Sequence, residues 1–140
     1  MILADSGYWV ALFDRSDQHH RRAVEITRTL DEQLVTTWPV LTETSHFLGI
    51  RYGSDAVVRF LELGSRGGYH LFGLDEVSLP RMEKLIRKYT SLPMDLADAS
   101  LVLVAEETGE GRILTTDRRD FRTYRFSGRK AFHNLLLEFH

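Results

Sequence analysis

The amino-acid sequence predicts one α/β domain with a mainly parallel sheet of four to five strands, covered by helices on both faces. Short apolar runs alternate with longer segments of helical spacing along the 140 residues. Strands that are separated in this way by helices generally pair in parallel. No internal repeat, low-complexity tract or linker divides the chain, and its length suits a single domain over residues 1–140.

Apolar runs that stop at acidic or turn residues predict the strands. Ile2 and Leu3 lie in a first buried run, which ends at Asp5 and leads directly into a helix. A later run stops in the same way at Asp117. The predicted strands span residues 1–4, 34–37, 69–74 and 112–116, with a short edge strand at residues 123–126. We expect the apolar tail to pack against the body or another subunit through Phe132, Leu135, Leu136 and Phe139.

Apolar residues three and four positions apart predict helices between these strands. Pro39 suits a first helical position, because the N–H that proline lacks has no intrahelical acceptor there. Gly109 and Gly111 follow the last apolar turn of another helix and are expected to end it. The predicted helices span residues 8–13, 18–33, 39–52, 53–64, 76–89 and 93–107.

The helix over residues 93–107 begins with two aspartates and then becomes apolar on nearly every side. Asp95 and Asp98 share one face, because residues three apart are neighbours on a helix. Between residues 99 and 105 only Ser100 has a polar side chain, which predicts a buried helix with an acidic first turn. Both acids are explained by capping and by the positive helix end, and both are also candidates for a functional site.

Composition excludes several kinds of site and location. The absence of cysteine excludes disulfides, thiolate metal sites and thiol catalysis. No apolar stretch approaches the ~20 residues of a membrane span, and the N-terminus does not resemble a signal peptide, so a cytoplasmic protein is expected. A net charge of −2 does not by itself indicate a nucleic-acid-binding protein.

Four acids are expected to meet at one edge of the sheet. Asp5 and Asp117 end the first and fourth strands, while Glu43 and Asp98 lie early in helices that begin at the same edge. Carboxylates packed together repel one another unless a cation lies among them, and ligands that are all oxygen favour Mg²⁺ or Mn²⁺. Such a site suits phosphodiester hydrolysis by metal-activated water. Each acid alone is equally well explained as a turn, cap or solvated residue, so the agreement of four positions carries the prediction.

The order and spacing of these acids resemble those of the PIN-domain nucleases, in particular the VapC-type toxins of bacterial toxin–antitoxin pairs. The resemblance extends over nearly the whole chain, through Asp5 and Ser6, LTETSHFL around Glu43, LADASLVLVAEE around Asp98 and ILTTDRRDF around Asp117. It implies an α/β/α sandwich in which the four acids hold Mg²⁺ or Mn²⁺ for cleavage of single-stranded RNA. It also implies an antitoxin partner whose tail fills the acidic pocket, and a homodimer.

Further polar residues are expected to support this site or to contact RNA. The resemblance matches Thr115 to a supporting hydroxyl, and Ser6 lies beside Asp5. Asp95 and Asp120 are also expected in support, although a cap and a surface turn explain them equally well. Six basic residues and one acid occupy residues 118–130. This segment is either a basic rim that binds RNA phosphates or a charged face that is only solvated. The predicted RNA contacts are Arg118, Arg119, Arg122 and Arg125.

Two other functions are compatible with such a fold. One is a non-catalytic RNA-binding or interaction module, which intact acids make less attractive. The other is a receiver-like phosphorylation switch, which would have paired acids after the first strand and a lysine ending a late one. Here Asp5 is followed by Ser6, and the three lysines lie elsewhere.

Overall fold

The computed structural model describes residues 1–137, in which seven short strands form a five-stranded sheet and a separate pair. The strands are β1 (Ile2–Ala4), β2 (Leu34–Thr36), β3 (His70–Leu71), β4 (Arg112–Leu114), β5 (Arg125–Phe126), β6 (Lys130–Ala131) and β7 (His133–Asn134). The main sheet has the order β3-β2-β1-β4-β7, and all its neighbouring strands are parallel. The predicted parallel sheet is therefore confirmed.

Helices connect these strands and pack against the sheet and one another. They are α1 (Ser6–Phe13), α2 (His20–Thr29), α3 (Trp38–Tyr52), α4 (Ser54–Ser65), α5 (Leu79–Lys88), α6 (Leu96–Thr108) and α7 (Asp120–Thr123). Pro39 is the second residue of α3, one position later than predicted, and it still lies in the first turn, where its missing N–H costs no hydrogen bond. Gly109 ends α6 with a φ of 77°, a left-handed conformation that glycine adopts without steric cost.

The strand order determines where a ligand can approach. The chain begins in the centre at β1, continues outward through β2 and β3, and returns to β4 on the opposite side of β1. The order therefore reverses between β1 and β4, and ligands of open α/β sheets bind beyond the carboxyl ends of strands at such a point. A receiver-like fold has the order 2-1-3-4-5. The observed order differs from it and argues against the phosphorylation-switch alternative.

The core lies on both faces of the sheet and includes most of α6. Leu3 and Ile113, from the two central strands, have no exposed surface. Residues 99–105 of α6 are all buried, which confirms the predicted buried helix. Its polar residue Ser100 forms a 2.6 Å hydrogen bond with Thr37. No helix within residues 1–137 is long and apolar enough to span a bilayer.

Residues after Asp117 differ from the sequence prediction. Residues 123–126 were expected to form an edge strand, but α7 ends at Thr123 and β5 then pairs with β6 outside the main sheet. The fifth strand of the sheet is β7, which pairs with β4 and which apolar alternation does not reveal. Leu136 is buried in the core and Phe132 and Leu135 pack against it, so the tail packs on the body. Phe139 lies outside the described residues.

Three other predicted elements are shorter than expected. Only His70 and Leu71 pair as β3, because the chain leaves the sheet after one further hydrogen bond from Phe72 to Thr36. α2 ends at Thr29, four residues before the predicted end. A short 3-10 helix over Glu76–Ser78 precedes α5.

Candidate active site

Asp5 lies at the carboxyl end of β1 and is held from two sides. Its Oδ1 accepts a 2.8 Å hydrogen bond from the backbone N–H of Ser6 and caps α1. Its Oδ2 accepts a 2.8 Å hydrogen bond from the Thr115 hydroxyl. Burial raises the pKa of Asp5 to about 6 despite these hydrogen bonds, and the charges of Glu43 and Asp117 add to the rise. Asp5 is thus a rigid, buried carboxyl beside other acids.

Asp98 lies in the first turn of α6, where two neighbours define its position. Asp95 accepts a 2.8 Å hydrogen bond from the Asp98 N–H, so Asp95 is the helix cap. The buried Tyr124 hydroxyl donates to Asp98 Oδ2 across 3.2 Å. Burial, together with the charges of Asp5 and Asp95, raises the pKa of Asp98 to about 8. The charge of Asp5 therefore opposes the ionisation of Asp98.

Glu43 lies on α3 and reaches the same place through Ser6. The Ser6 hydroxyl donates a short hydrogen bond to Glu43 Oε1, which links α1 to α3. Partial burial raises the pKa of Glu43, and the charge of Asp95 and a hydrogen bond with it raise it further. Glu43 is more exposed than Asp5, so it forms the solvent side of the acidic group.

Asp117 follows β4, and its backbone is tied to Thr115. The Asp117 N–H donates to Thr115 Oγ1 across 3.0 Å, while Asp117 Oδ1 accepts from the Asp120 N–H across 2.9 Å. The pKa of Asp120 is raised by burial and by a hydrogen bond with Asp117. The structure thus brings together all the predicted acids and hydroxyls: Asp5, Ser6, Glu43, Asp95, Asp98, Thr115, Asp117 and Asp120.

Three residues that help to build this site had no signal in the sequence. Gly7 lets α1 begin against the end of β4, because a Cβ at position 7 would lie 2.0 Å from Thr116 Oγ1. Tyr124 holds Asp98, and the Asn134 amide donates to the Thr115 carbonyl across 3.0 Å. Asn134 lies in β7, which was not predicted. All three act through contacts that are distant in sequence.

The donor chemistry of this acidic group suits Mg²⁺ or Mn²⁺, which prefer oxygen ligands. Asp5, Glu43 and Asp98 each have a raised pKa, with a neighbouring carboxylate among the causes. A cation among them would remove that repulsion. Within residues 1–137, however, no three acidic or histidine side chains are arranged so that they could hold an ion. The residues present fit a divalent cation chemically, but they do not form a complete set of ligands.

The predicted RNA-binding arginines differ in their surroundings. Arg118 and Arg122 line a cavity of about 320 Å³ next to Asp117. Arg119 lies 3.4 Å from Asp120 in an exposed ion pair. The Arg125 guanidinium donates to three backbone carbonyls, those of Arg122, Thr123 and Tyr124. Arg118 and Arg122 are therefore the arginines that line the cavity beside Asp117.

The fold and these side chains define an α/β/α sandwich with a carboxylate-rich site where the strand order reverses. The chain belongs to the PIN domain family, whose model matches residues 2–127. The resemblance seen in the sequence motifs is thereby confirmed.

Individual relatives agree with this assignment. The chain is 26% identical over 131 residues to Ribonuclease VapC26 of Mycobacterium tuberculosis, which covers 94% of this chain and 97% of that protein. It superposes on VapC20 of Mycobacterium tuberculosis, described as a sarcin-ricin loop cleaving toxin, with a TM-score of 0.78 and 19% identity. That match covers 84% of this chain and 90% of VapC20. A DNA-bound VapBC from Salmonella typhimurium gives a TM-score of 0.63 at 13% identity, over 93% of this chain and 96% of that one. These structural matches support the α/β/α fold.

Proposed function

We propose that this protein is a metal-dependent endoribonuclease that cleaves single-stranded RNA and acts as the toxin of a toxin–antitoxin pair. The observation that carries the proposal is the meeting of Asp5 and Asp98, with pKa values raised to about 6 and about 8, where β1 and β4 end. Membership of the PIN family and similarity to a protein named as a ribonuclease support the same activity.

In this proposal, a Mg²⁺ or Mn²⁺ ion would be held by Asp5, Asp98, Asp117 and Glu43. The bound ion would supply the charge that activates water and stabilises the phosphodiester as it is cleaved. Thr115 and the Ser6 N–H fix the Asp5 carboxylate, and Tyr124 fixes that of Asp98. Asp95 and Asp120 support the site, the first as the cap of α6 and the second through Asp117. Small adjustments of side chains would complete the set of ligands.

RNA contact is proposed on the Asp117 side of the site. Arg118 and Arg122 line the cavity there and would bind the phosphates that flank the cleaved bond. Arg119 is exposed and can exchange its ion pair with Asp120 for a phosphate, because a surface pair of this kind contributes little stability. Arg125 would act mainly by holding the end of α7 in place.

The proposal includes partners and a location. An antitoxin partner is supported by the similarity to a VapBC complex. Binding of that antitoxin over the acidic site, a homodimer and a cytoplasmic location remain predictions. The alternative is a non-catalytic RNA-binding module on the same fold. The incomplete set of metal ligands within residues 1–137 favours that alternative.

Cleavage of labelled single-stranded RNA with Mg²⁺ or Mn²⁺, compared with EDTA, tests the activity. We expect metal-dependent cleavage in the native protein and its loss in Asp5→Asn and Asp98→Asn. Asp55→Asn, an exposed acid in the first turn of α4, is a matched control and should cleave normally. Cleavage that persists in EDTA, or full activity in both site variants, would contradict the mechanism. RNA binding without cleavage in either metal would favour the non-catalytic alternative.

A further inference from the structure

An open groove adjoins the acidic site and shares no lining residue with the cavity of Arg118 and Arg122. It has a volume of about 570 Å³ and lies between the N-terminal half of α3 and the first turn of α6. Trp38, Pro39 and Leu96 supply apolar surface to it, and Glu43 and Asp95 belong both to the groove and to the acidic site. Whatever occupies the groove therefore lies directly beside any group bound by the acids.

Trp38 is the unusual residue of this groove. Its side chain is 63% exposed, whereas the other tryptophan, Trp9, is completely buried. Leu96 across the groove is 52% exposed. Large apolar side chains that remain exposed together mark binding surfaces, and tryptophan provides a flat ring for stacking. Trp38 is the first residue of α3, so the backbone that carries the ring is helical and fixed.

Polar groups are available next to this ring. Thr42 and His46 follow Trp38 at intervals of four residues, so they lie on the same face of α3. Thr42 donates to the Trp38 carbonyl across 3.0 Å, and its oxygen can still accept a hydrogen bond. The exposed His46 ring forms no hydrogen bond to any of residues 1–137. A flat ligand on Trp38 could therefore also form hydrogen bonds at its edge.

The charges around the groove indicate which part of a nucleotide it can bind. Among the described residues that line the groove, none is a lysine or an arginine, and two are acids. A phosphate would be repelled there, whereas an uncharged base would stack on the indole. In the separate cavity beside Asp117, Arg118 and Arg122 suit a phosphate. A strand crossing the site would thus place its backbone toward the arginines and a base in the groove.

We propose that this groove binds one nucleobase of a single-stranded RNA, stacked on Trp38, adjacent to the phosphodiester held at the acidic site. The inference rests on the proposed nuclease function, because that function is what brings RNA to the acids. It makes Trp38 a substrate-binding residue, and Thr42 and His46 the groups that contact the edge of the base.

Fluorescence of Trp38 tests base stacking without any catalysis. The probe is a single-stranded oligoadenylate in EDTA, compared with an abasic ribose-phosphate oligomer of the same length and charge. We expect quenching by the oligoadenylate only, and no quenching in Trp38→Phe, because Trp9 is buried. Equal quenching by both oligomers would show that phosphate, not a base, approaches the ring, and would overturn the proposal.

Cleavage kinetics provide the second readout. Trp38→Ala should lower kcat/KM by roughly 5- to 100-fold, mainly through KM, and Trp38→Phe should recover most of this loss. Ile50→Ala changes an exposed residue on the same helix outside the groove and should cleave like the native protein. Unchanged kcat/KM in Trp38→Ala would overturn the proposal. So would a Trp38→Ala protein that cleaves normally but no longer binds its antitoxin, which would make the groove a protein-binding site.

The two proposals fail in different ways. Base-dependent quenching without cleavage in Mg²⁺ or Mn²⁺ would contradict the proposed nuclease activity and support the proposed base site. Metal-dependent cleavage without base-dependent quenching would contradict the proposed base site and support the proposed nuclease activity.

Discussion

The hydroxyl of Thr115 donates to Asp5 Oδ2 across 2.8 Å, and its oxygen accepts the N–H of Asp117 across 3.0 Å. One buried side chain therefore links the carboxyl ends of β1 and β4, the two strands between which the strand order reverses. Its hydrogen bond lowers the pKa of Asp5 and so opposes the rise caused by burial. Thr115 positions two of the proposed ligands at once.

Replacing this hydroxyl should affect activity more than folding. Thr115→Val keeps the shape of the side chain but leaves Asp5 with one hydrogen bond fewer, so we expect RNA cleavage to fall about 10- to 100-fold. Thr115→Ser restores the hydroxyl and should recover most of the activity. Cleavage rates and melting temperatures of the two variants provide the measurement. Equal activity in Thr115→Val and the native protein would show that Thr115 is an ordinary strand residue.

Asp98 provides a prediction about pH. Its folded-state pKa is raised from 3.8 to about 8, so the folded protein binds more protons than the unfolded chain between these values. Without a divalent ion, the contribution of Asp98 to stability is therefore greatest below pH 4 and is lost as the pH rises to about 8. Asp98→Asn removes this loss and keeps an acceptor for Tyr124. We expect the variant to be more stable than the native protein by about 1–3 kcal/mol at pH 8, with little difference at pH 4.

Asp14 offers a matched control for that measurement. It is also a buried acid, but hydrogen bonds from Ser16 and Tyr52 and the charge of Arg51 outweigh burial and hold its pKa below the usual range. Asp14→Asn should therefore lower stability at pH 8, whereas Asp98→Asn should raise it.

Addition of Mn²⁺ should raise the melting temperature of the native protein and not that of Asp98→Asn. If Asp98→Asn is less stable at pH 8 without metal, the acids do not repel one another as proposed.

The clustering of the acids could be predicted from sequence because three of the four follow a local pattern. Asp5 and Asp117 end apolar strands, and Asp98 begins an apolar helix, so the parallel sheet places them at one edge. The groups that hold the acids depend on contacts that no local pattern contains. Tyr124 is 26 residues from Asp98, and Asn134 is 19 residues from Thr115. β7 was missed for the same reason, since pairing with β4 rather than apolar alternation makes it a strand.

Tyr124 should act as a positioning residue for Asp98. Tyr124→Phe keeps the buried ring and its packing against Tyr89 and Phe121, and removes only the hydroxyl. We expect Mn²⁺ affinity, measured by calorimetry, to fall about tenfold, whereas stability changes by only about 1 kcal/mol. A purely structural role would leave Mn²⁺ affinity unchanged. Tyr89→Phe removes the neighbouring hydroxyl, which accepts from the Arg125 N–H, and serves as the control.

The effect of Gly7→Ala on stability distinguishes tertiary packing from helix propensity, because the two predict changes of opposite sign. Within a helix, Gly→Ala normally stabilises by up to about 1 kcal/mol. At position 7 of α1, however, the new Cβ would lie 2.0 Å from Thr116 Oγ1 and 3.3 Å from the Thr116 backbone nitrogen. The start of α1 must then move away from β4, and it carries the Ser6 groups that bind Asp5 and Glu43. We expect Gly7→Ala to destabilise the protein by about 1–3 kcal/mol and to reduce cleavage strongly.

Two further variants show where the effect of Gly7→Ala arises. Gly73→Ala adds a methyl group that would meet no atom within 4 Å beyond its own chain neighbours, and it should change neither stability nor cleavage. Thr116→Ala removes the hydroxyl that the new Cβ would meet, so it should restore part of the stability lost in Gly7→Ala. It should not restore all of it, because the Thr116 Cβ would still lie 3.2 Å away. Urea unfolding of the four combinations at positions 7 and 116 measures this coupling. A Gly7→Ala protein as stable and active as the native one would show that α1 does not need this close approach to β4.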